Sequence, residues 1–349
     1  GTLGGSVSNA FGINDLGEVV GFSAIGEIGR HAAWWYSGLR RDLGSLGGSS
    51  QAFAINNLGE AVGVSDLAGS IHEHAFANVN GAVLDLGTLG GPNSRAMGIN
   101  DHGEAVGWSN GSDRYQKAFV YDLGLGPNAA IIPLGTLGGR VSRAYDINER
   151  HQVVGWSDTG FGEHHAFLLD LAAGGPMQDL GTLAGGLSEA FAVNDQGIAV
   201  GTAYQVTGPG PIDREWRPVR YDPNDPVGVT ELVAAAGAAR DINLQGEIVG
   251  EFRVPTARQG THGFLYDAQG GFHDLNDLVL PGSNLEVTGA WGINDQGQIA
   301  AVGTFPNPVF GMWVEHAVLL TPVPEPGSWL LTASAALLGL ALRRPAAAA

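Results

Sequence analysis

One stretch of twelve residues, from Ala10 to Gly21, constrains the fold of this chain most, because it returns along the sequence. Its Ile-Asn pair, with Val replacing Ile in one copy, recurs at the seven asparagines Asn14, Asn56, Asn100, Asn148, Asn194, Asn243 and Asn294. Successive asparagines are 42, 44, 48, 46, 49 and 51 residues apart. A period in the forties is typical of repeat proteins, in which each unit is one small structural module. The chain is therefore predicted to be an array of seven such units.

The first unit has the pattern of short β-strands. In residues 10–14 small and large side chains alternate, which is the period of a strand and not of a helix. Residues 15–17 predict a tight turn, because aspartate caps its own backbone and glycine supplies the positive φ of a short hairpin loop. Residues 18–23 are predicted to return as the second strand, 31–36 to form an aromatic third strand and 40–43 a short fourth strand.

Four short strands in a unit of this length are the signature of a β-propeller blade. The sequence thus predicts an all-β, seven-bladed β-propeller of four-stranded blades over residues 1–321, with the strand 10–14 innermost in its blade. An open solenoid of the same hairpins is the alternative. Closure is favoured because it removes exposed sheet edges. We expect the ring to be a monomer.

Composition excludes several classes of function. The chain has 56 glycines among 349 residues, which suits a protein that turns every few residues. Its formal net charge of −18 argues against nucleic acid, whose phosphates require a basic face, and fits a solvated acidic surface. The chain contains no cysteine, so disulfides and thiolate metal sites are excluded. No cofactor is predicted.

Two repeated polar features are better explained by structure than by metal binding. The third strand of each unit begins with a side chain that donates hydrogen bonds: His31, His74, Lys117, His165, Arg217, His262 and His316. Because Lys and Arg are poor metal ligands, we expect this position to donate to a nearby backbone or carboxylate group. The Asn-Asp-x-Gly turns resemble fragments of calcium loops but lack the alternating acidic ligands that such loops require. No metal site is predicted.

The loops between second and third strands are predicted to carry any ligand. They lie on the same rim as the Gly-Thr-Leu-Gly-Gly linkers, which lack the Lys-Ser/Thr of a phosphate-binding loop and are interpreted as structural. These loops vary in length, whereas the Asn-Asp turns on the opposite rim are nearly uniform. Tyr115 and Trp216 are the predicted stacking residues, and Arg114 and Arg258 the predicted charge partners. The alternative is that this rim merely tolerates insertions.

The last 28 residues, 322–349, break the repeat pattern. Pro324, Glu325 and Pro326 precede an uncharged segment over 327–342, and Arg343 and Arg344 follow it. A helix of that length spans roughly 24 Å at about 1.5 Å per residue, slightly less than a bilayer core. We therefore predict a single C-terminal transmembrane helix over 327–342, with the basic pair on the cytoplasmic side. A helix buried in a protein core is the alternative.

These motifs resemble two known kinds of sequence. Units with Ala-Phe-Gly-Ile-Asn-Asp, Gly-Glu-Val-Val-Gly and His-Ala-Phe resemble the HAF-repeat family of bacterial extracellular proteins over about residues 1–320. The tail is similar to a PEP-CTERM sorting signal, in which Pro324–Pro326, a hydrophobic helix and Arg343–Arg344 follow in that order. The resemblance implies processing by an exosortase-type enzyme. It also implies export to the envelope or exterior of a Gram-negative bacterium, with transient anchoring in the inner membrane.

Two functions remain open at this point. The first is a structural or ligand-binding module at the cell surface or in secreted matrix, with an extracellular glycan as candidate ligand. The second is an enzyme on a propeller scaffold that acts on extracellular polysaccharide, which needs acidic groups or an activated nucleophile that break the repeat symmetry. Residues 113–115 and 213–216 are the best asymmetric candidates, and they also suit simple loop charges. We favour the first function and assign no catalytic residue.

Overall fold

The computed structural model describes residues 1–26, 29–126, 129–210, 214–225, 227–257, 259–280, 282–306, 313–325, 328–335 and 338–343, with side chains as far as residue 322. Seven antiparallel sheets follow one another along the chain, one for each sequence repeat, and strands within a sheet are ordered as in the sequence. The predicted all-β, seven-bladed propeller of four-stranded blades is confirmed.

The strands of the first four blades are β1 (Ser8–Ile13), β2 (Val19–Ile25), β3 (Gly29–Tyr36) and β4 (Leu39–Gly44); β5 (Gly47–Ile55), β6 (Ala61–Leu67), β7 (Glu73–Val79) and β8 (Ala82–Gly87); β9 (Gly90–Ile99), β10 (Glu104–Gly111), β11 (Gln116–Asp122) and β12 (Ile132–Pro133); and β13 (Gly138–Ile147), β14 (Gln152–Thr159), β15 (His164–Asp170) and β16 (Gln178–Asp179). A short 3-10 turn, Leu123–Leu125, follows β11.

The strands of the last three blades are β17 (Ser188–Val193), β18 (Ala199–Val206), β19 (Arg214–Tyr221) and β20 (Val229–Glu231); β21 (Gly237–Ile242), β22 (Ile248–Arg253), β23 (Thr261–Tyr266) and β24 (Phe272–Asp274); and β25 (Glu286–Ile293), β26 (Ile299–Pro306) and β27 (Trp313–Glu325), with β28 (Ser328–Ala335) and β29 (Leu338–Arg343) beyond. One helical turn, α1 (Leu275–Leu278), leads into the seventh blade.

The C-terminal tail was predicted to contain a transmembrane helix over 327–342. There the structure describes only the backbone of β28 and β29, and residues 326, 327, 336, 337 and 344–349 lie outside the described residues. The predicted helix is not confirmed. In the described part of the chain, no helix has the length and hydrophobicity that crossing a membrane requires.

Each innermost strand contains a β-bulge at the same place in the repeat. In blade 1, Ala10 pairs with Gly21 and Gly12 with Val20, which leaves Phe11 between them without a partner. The seven residues in this position are Phe11, Phe53, Met97, Tyr145, Phe191, Arg240 and Trp291. A bulge re-aims the extra side chain, and all seven line one cavity at the axis of the ring.

The hydrophobic core lies between adjacent blades. Val20 and Ala32 of blade 1, for example, pack with Ile55 and Phe76 of blade 2 in one cluster. Blade 7 packs on blade 1 in the same way, through a cluster that joins Ala300 and Ala317 to Ala10, Val19, Ala33 and Trp35. The ring is therefore closed by the same kind of contact that joins consecutive blades.

The repeated asparagines close the ring a second time, by hydrogen bonds. The side-chain nitrogen of each asparagine donates to the backbone carbonyl of the asparagine in the next blade, and Asn294 donates to the carbonyl of Asn14. The seven distances lie between 2.8 and 3.2 Å. We call the face that carries these turns the turn face, and the opposite face, with the glycine-rich linkers and the loops between second and third strands, the linker face.

The donors predicted at the start of each third strand have the expected partners in most blades. The imidazole Nδ1 of His31 lies 2.8 Å from a carboxylate oxygen of Asp42 on the fourth strand. The same pairing joins His74 to Asp85, His165 to Asp179 and His262 to Asp274. Arg217 pairs with Glu215 and Glu231, and Lys117 donates to the carbonyl of Arg140. In these six blades the side chain thus contacts a carboxylate or a backbone carbonyl, as predicted, and the four histidines join the third strand to the fourth.

Candidate ligand-binding site

The central cavity has a volume of about 280 Å³ and extends to the turn face. The bulge residues form its wall, and side chains of the seven turns form its mouth. In six of the seven turns, the side chain of the residue after the repeated asparagine accepts a hydrogen bond from a backbone N–H of the preceding blade, as Asp101 does from Asn57 at 2.7 Å. These carboxylate and amide groups therefore connect adjacent blades.

Two aspartates break the symmetry of the cavity. Asp146 and Asp241 stand where the other five blades have Gly12, Ala54, Gly98, Ala192 and Gly292. Asp146 accepts a hydrogen bond from the N–H of Val193 at 2.9 Å, and Asp241 accepts one from the N–H of Ile293 at 2.7 Å. Burial is the main reason that the pKa of Asp146 rises to about 7 and that of Asp241 to about 8.

A second cavity, of about 360 Å³, lies between blades 5 and 6 on the linker side of the bulges, and we call it the blade 5–6 cavity. Its lining residues are Glu189, Phe191, Thr202, Trp216, Gly237, Ala238, Arg240 and Glu251. The indole of Trp216 stacks on Tyr204, with ring centroids 4.0 Å apart. The cavity therefore combines an aromatic wall with a small set of polar and charged groups, which is the usual make-up of a ligand pocket.

Arg240 is held in place by both its charge and its flat faces. Its guanidinium lies 4.7 Å from the ring centroids of Phe191 and of Trp291. It also forms a bidentate ion pair with Glu251, in which Nε lies 3.0 Å from both carboxylate oxygens. A guanidinium fixed in this way presents a rigid edge to the cavity.

Glu189 is the carboxyl group of the cavity that lacks such a partner at short range. Burial raises the pKa of Glu189, and the positive charges of Arg143 and Arg240 oppose that rise. The imidazole Nε2 of His164 lies 3.6 Å from a carboxylate oxygen of Glu189, and burial lowers the pKa of His164. Both shifts favour the uncharged forms, so Glu189 and His164 form a partly buried polar pair beside Trp216.

The structure separates the four ligand residues that the sequence predicts. Trp216 lines the blade 5–6 cavity. Arg114 and Tyr115 lie in the turn between the second and third strands of blade 3, where Tyr115 accepts a hydrogen bond from Arg140 at 2.6 Å and neither residue lines that cavity. Arg258 lies outside the described residues. So do Pro326 and Arg344 and the side chains of Pro324, Glu325 and Arg343.

Sequence reasoning missed the polar residues that the inner strands carry into the two cavities, chiefly Glu189, Arg240, Asp146 and Asp241. A signal was present for Glu189, because five residues before each repeated asparagine the seven units read Asn, Gln, Arg, Arg, Glu, Ala and Gly. A position that varies in charge within so regular a repeat indicates function more than packing. Within the described residues, no group of three His, Asp or Glu side chains is arranged to hold a metal ion.

Two family models match parts of this chain, one in the tail and one in the ring. A family model described as a PEP-CTERM protein-sorting motif matches residues 322–344, which confirms the predicted sorting signal. This motif implies export to the cell envelope or extracellular space and processing by an exosortase-type enzyme. A second model, described as a protein of unknown function (DUF3466), matches residues 42–175. The resemblance to the HAF-repeat family is not confirmed, and no curated protein matches the chain.

Solved structures with a similar fold are distant in sequence. The β-propeller domain of the Trilobed protease from Pyrococcus furiosus is 11% identical, with a TM-score of 0.47, and the match covers 84% of this chain and 93% of that one. TolB from Acinetobacter baumannii is 12% identical, with a TM-score of 0.40, and the match covers 70% of this chain and 64% of that one. These similarities concern the fold alone.

Proposed function

We propose that this protein is an exported binding protein of the cell surface or extracellular matrix, and that its ligand is a glycan held in the blade 5–6 cavity. Export is supported by the sorting motif over residues 322–344. The single observation that carries the choice of ligand is the grouping of Trp216, Glu189, Arg240 and Glu251 around one cavity.

Sugars have apolar C–H faces and hydroxyl groups along their edges. An indole offers a large flat apolar surface for such a face, while carboxylate and guanidinium groups accept from and donate to neighbouring hydroxyls. Trp216 supplies the first kind of surface, and Glu189, Arg240 and Glu251 supply the second. The ion pair between Arg240 and Glu251 keeps both groups in position before the ligand arrives, which reduces the entropy lost on binding.

The test is a glycan-binding array with the purified full chain in mild detergent, followed by affinity measurements on the best ligand. Trp216→Ala is expected to weaken binding by about tenfold or more, because aromatic anchors dominate binding energy. Tyr36→Ala, an exposed aromatic residue of blade 1, is the matched control and should leave affinity unchanged. Loss of binding in Arg114→Ala or Tyr115→Ala, with Trp216→Ala unaffected, would move the site to blade 3.

An enzyme that hydrolyses polysaccharide is the second candidate, and one observation favours it. Glu189 and Glu251 line the same cavity, and burial raises the pKa of Glu189, as it does for a carboxylic acid that donates a proton to a leaving group. We favour binding because both oxygens of Glu251 already contact Arg240. Release of new reducing ends from a bound polysaccharide, abolished in Glu189→Gln, would instead establish the enzyme.

A further inference from the structure

A second arginine of the inner strands, Arg143, is held between two indole rings. Its guanidinium lies 5.0 Å from the ring centroid of Trp108 in blade 3 and 5.5 Å from that of Trp156 in its own blade. Its Nε donates to the side-chain oxygen of Gln116 at 2.8 Å. These three contacts are with uncharged groups, and they fix the plane of the guanidinium.

The neighbouring arginines of the inner strands are neutralised by carboxylates. Arg95 forms a bidentate pair with Glu73, with distances of 2.6 and 2.9 Å, and Arg240 forms one with Glu251. In contrast, the described residues place no carboxylate oxygen within 4.0 Å of the Arg143 guanidinium. Arg143 is therefore an ordered positive charge without a direct ion pair, although its charge also acts on the more distant carboxyl group of Glu189, whose pKa is raised by burial. Such a guanidinium favours a ligand with a carboxylate or sulfate.

Aromatic rings connect Arg143 to the blade 5–6 cavity. The ring centroids of Trp156 and His164 are 4.8 Å apart, and those of His164 and Trp216 are 6.2 Å apart with the rings nearly parallel. Trp156 also donates from Nε1 to the hydroxyl of Tyr145 at 3.0 Å. The guanidinium and the cavity thus belong to one continuous surface that crosses from blade 4 to blade 5.

We propose that the ligand of this surface is an anionic polysaccharide, with one acidic group on Arg143 and a neighbouring sugar ring in the blade 5–6 cavity. This inference rests on the proposed function, and it adds the class of glycan. The net charge of −18 gives no long-range attraction for a polyanion, so the preference depends on local contact with Arg143. The acidic ring and a polyanion repel each other at long range. At a salt concentration of about 0.15 M the Debye length is about 8 Å, so most of this repulsion is screened.

The experiment measures binding of the full chain to three polysaccharides in 0.15 M salt, a concentration chosen for screening. The first is a polyuronate, the second is the same polymer after chemical reduction of its carboxyl groups, and the third is a sulfated polysaccharide. The polyuronate or the sulfated polymer is expected to bind about tenfold more tightly than the reduced polymer. The comparison of the two charged polymers identifies the preferred acidic group, and a preference for either supports the inference.

Variants of Arg143 locate the effect. Arg143→Gln should abolish the preference for the charged polymer while retaining binding of the reduced one. Arg143→Lys should retain part of the preference, because lysine keeps the positive charge but lacks the planar guanidinium that binds an acidic group through two hydrogen bonds. Arg41→Gln, an exposed arginine of blade 1, is the control for net charge. Circular dichroism and melting temperature check that each variant is folded.

Equal affinity of the wild-type chain for the reduced and the charged polymers would overturn the inference and leave the proposed function intact. So would an unchanged preference in folded Arg143→Gln. Absence of binding to any glycan would overturn both.

Discussion

The ring of asparagines allows a quantitative test of how the propeller is closed. Asn56 is 4% exposed, and its amide makes four hydrogen bonds. The nitrogen donates to the carbonyl of Asn100 at 3.0 Å and to the carboxylate of Glu60 at 2.8 Å. The oxygen accepts from the N–H groups of Leu58 and Glu60. Asn56→Ala removes all four, one of which crosses to the next blade.

The expected cost follows from this count. A hydrogen bond contributes about 1 kcal/mol net, and a buried group left without a partner costs about 1–3 kcal/mol. Leu58 lies at the exposed tip of the turn, where water replaces the lost amide, and the carbonyl of Asn100 still accepts from the N–H of Gly103. We therefore expect Asn56→Ala to lower the free energy of unfolding by about 3 kcal/mol.

The measurement is urea unfolding followed by circular dichroism, with Gln245→Ala as control. Gln245 is an exposed amide of the turn face, and its removal should change stability by less than about 0.5 kcal/mol. Asn56→Asp should cost more than Asn56→Ala at neutral pH, because it places an anion against the Asn100 carbonyl and the Glu60 carboxylate. Equal stability of Asn56→Ala and the control would refute the idea that the asparagine ring holds blades together.

Two further predictions concern an inner strand of blade 6 and the contact between the first two strands of blade 4. Asp241 has a pKa of about 8 in the folded ring, above its ordinary value of 3.8, so its contribution to stability is complete below pH 4 and is lost as pH rises to 8. Between pH 5 and 9 the free energy of unfolding should therefore fall by a few kcal/mol more in the wild-type chain than in Asp241→Asn. Identical pH profiles of the two proteins would contradict the shifted pKa. Gly155→Ala should destabilise by about 3 kcal/mol or more, because its Cβ would lie 1.9 Å from the carbonyl oxygen of Arg143. Gly175→Ala, with open space around it, should be neutral when both variants are compared by urea unfolding.

The architecture was accessible from sequence because it depends on features that repeat. The interval between asparagines determines the blade, and the alternation of small and large residues determines the strands. The β-bulge could not be predicted from the sequence. Phe11 belongs to a regular alternation of small and large residues, and nothing in that alternation indicates that the strand pairing shifts by one residue there. The position of the bulge determines which side chains point towards the axis of the ring. The alternation of small and large residues alone therefore could not predict which residues line the cavities.

The candidate site was missed because it consists of departures from the repeat. Asp146 and Asp241 replace small residues, and Glu189 occupies a position that holds a different side chain in almost every blade. Trp216 was identified from its aromatic character in an asymmetric segment, and the structure places it in the blade 5–6 cavity. The partners of Trp216 in that cavity come from the inner and second strands of blades 5 and 6, and only three-dimensional packing brings them together.

The topology of blade 7 also bears on how the ring is oriented during export. Strand β27 starts on the linker face and runs to the turn face, where Leu320 pairs with Ile299 beside the turn of Asn294. The sorting motif begins at residue 322, directly after that point. If the tail anchors the precursor in the inner membrane, as the sequence predicts, we expect the turn face to lie towards the membrane and the linker face, with the blade 5–6 cavity, to lie away from it.

Because the chain contains no cysteine, single cysteines can report this orientation. Ser112→Cys lies at an exposed loop of the linker face and Gln245→Cys at an exposed turn of the opposite face. In spheroplasts that carry the anchored precursor, a bulky thiol reagent should label Ser112→Cys faster, because the nearby bilayer obstructs Gln245→Cys. A chain that ends at residue 321 should lose this difference. Equal labelling rates for the two cysteines in the anchored precursor would show that the tail does not orient the ring. The linker face, with the cavity, would then be no more accessible than the turn face.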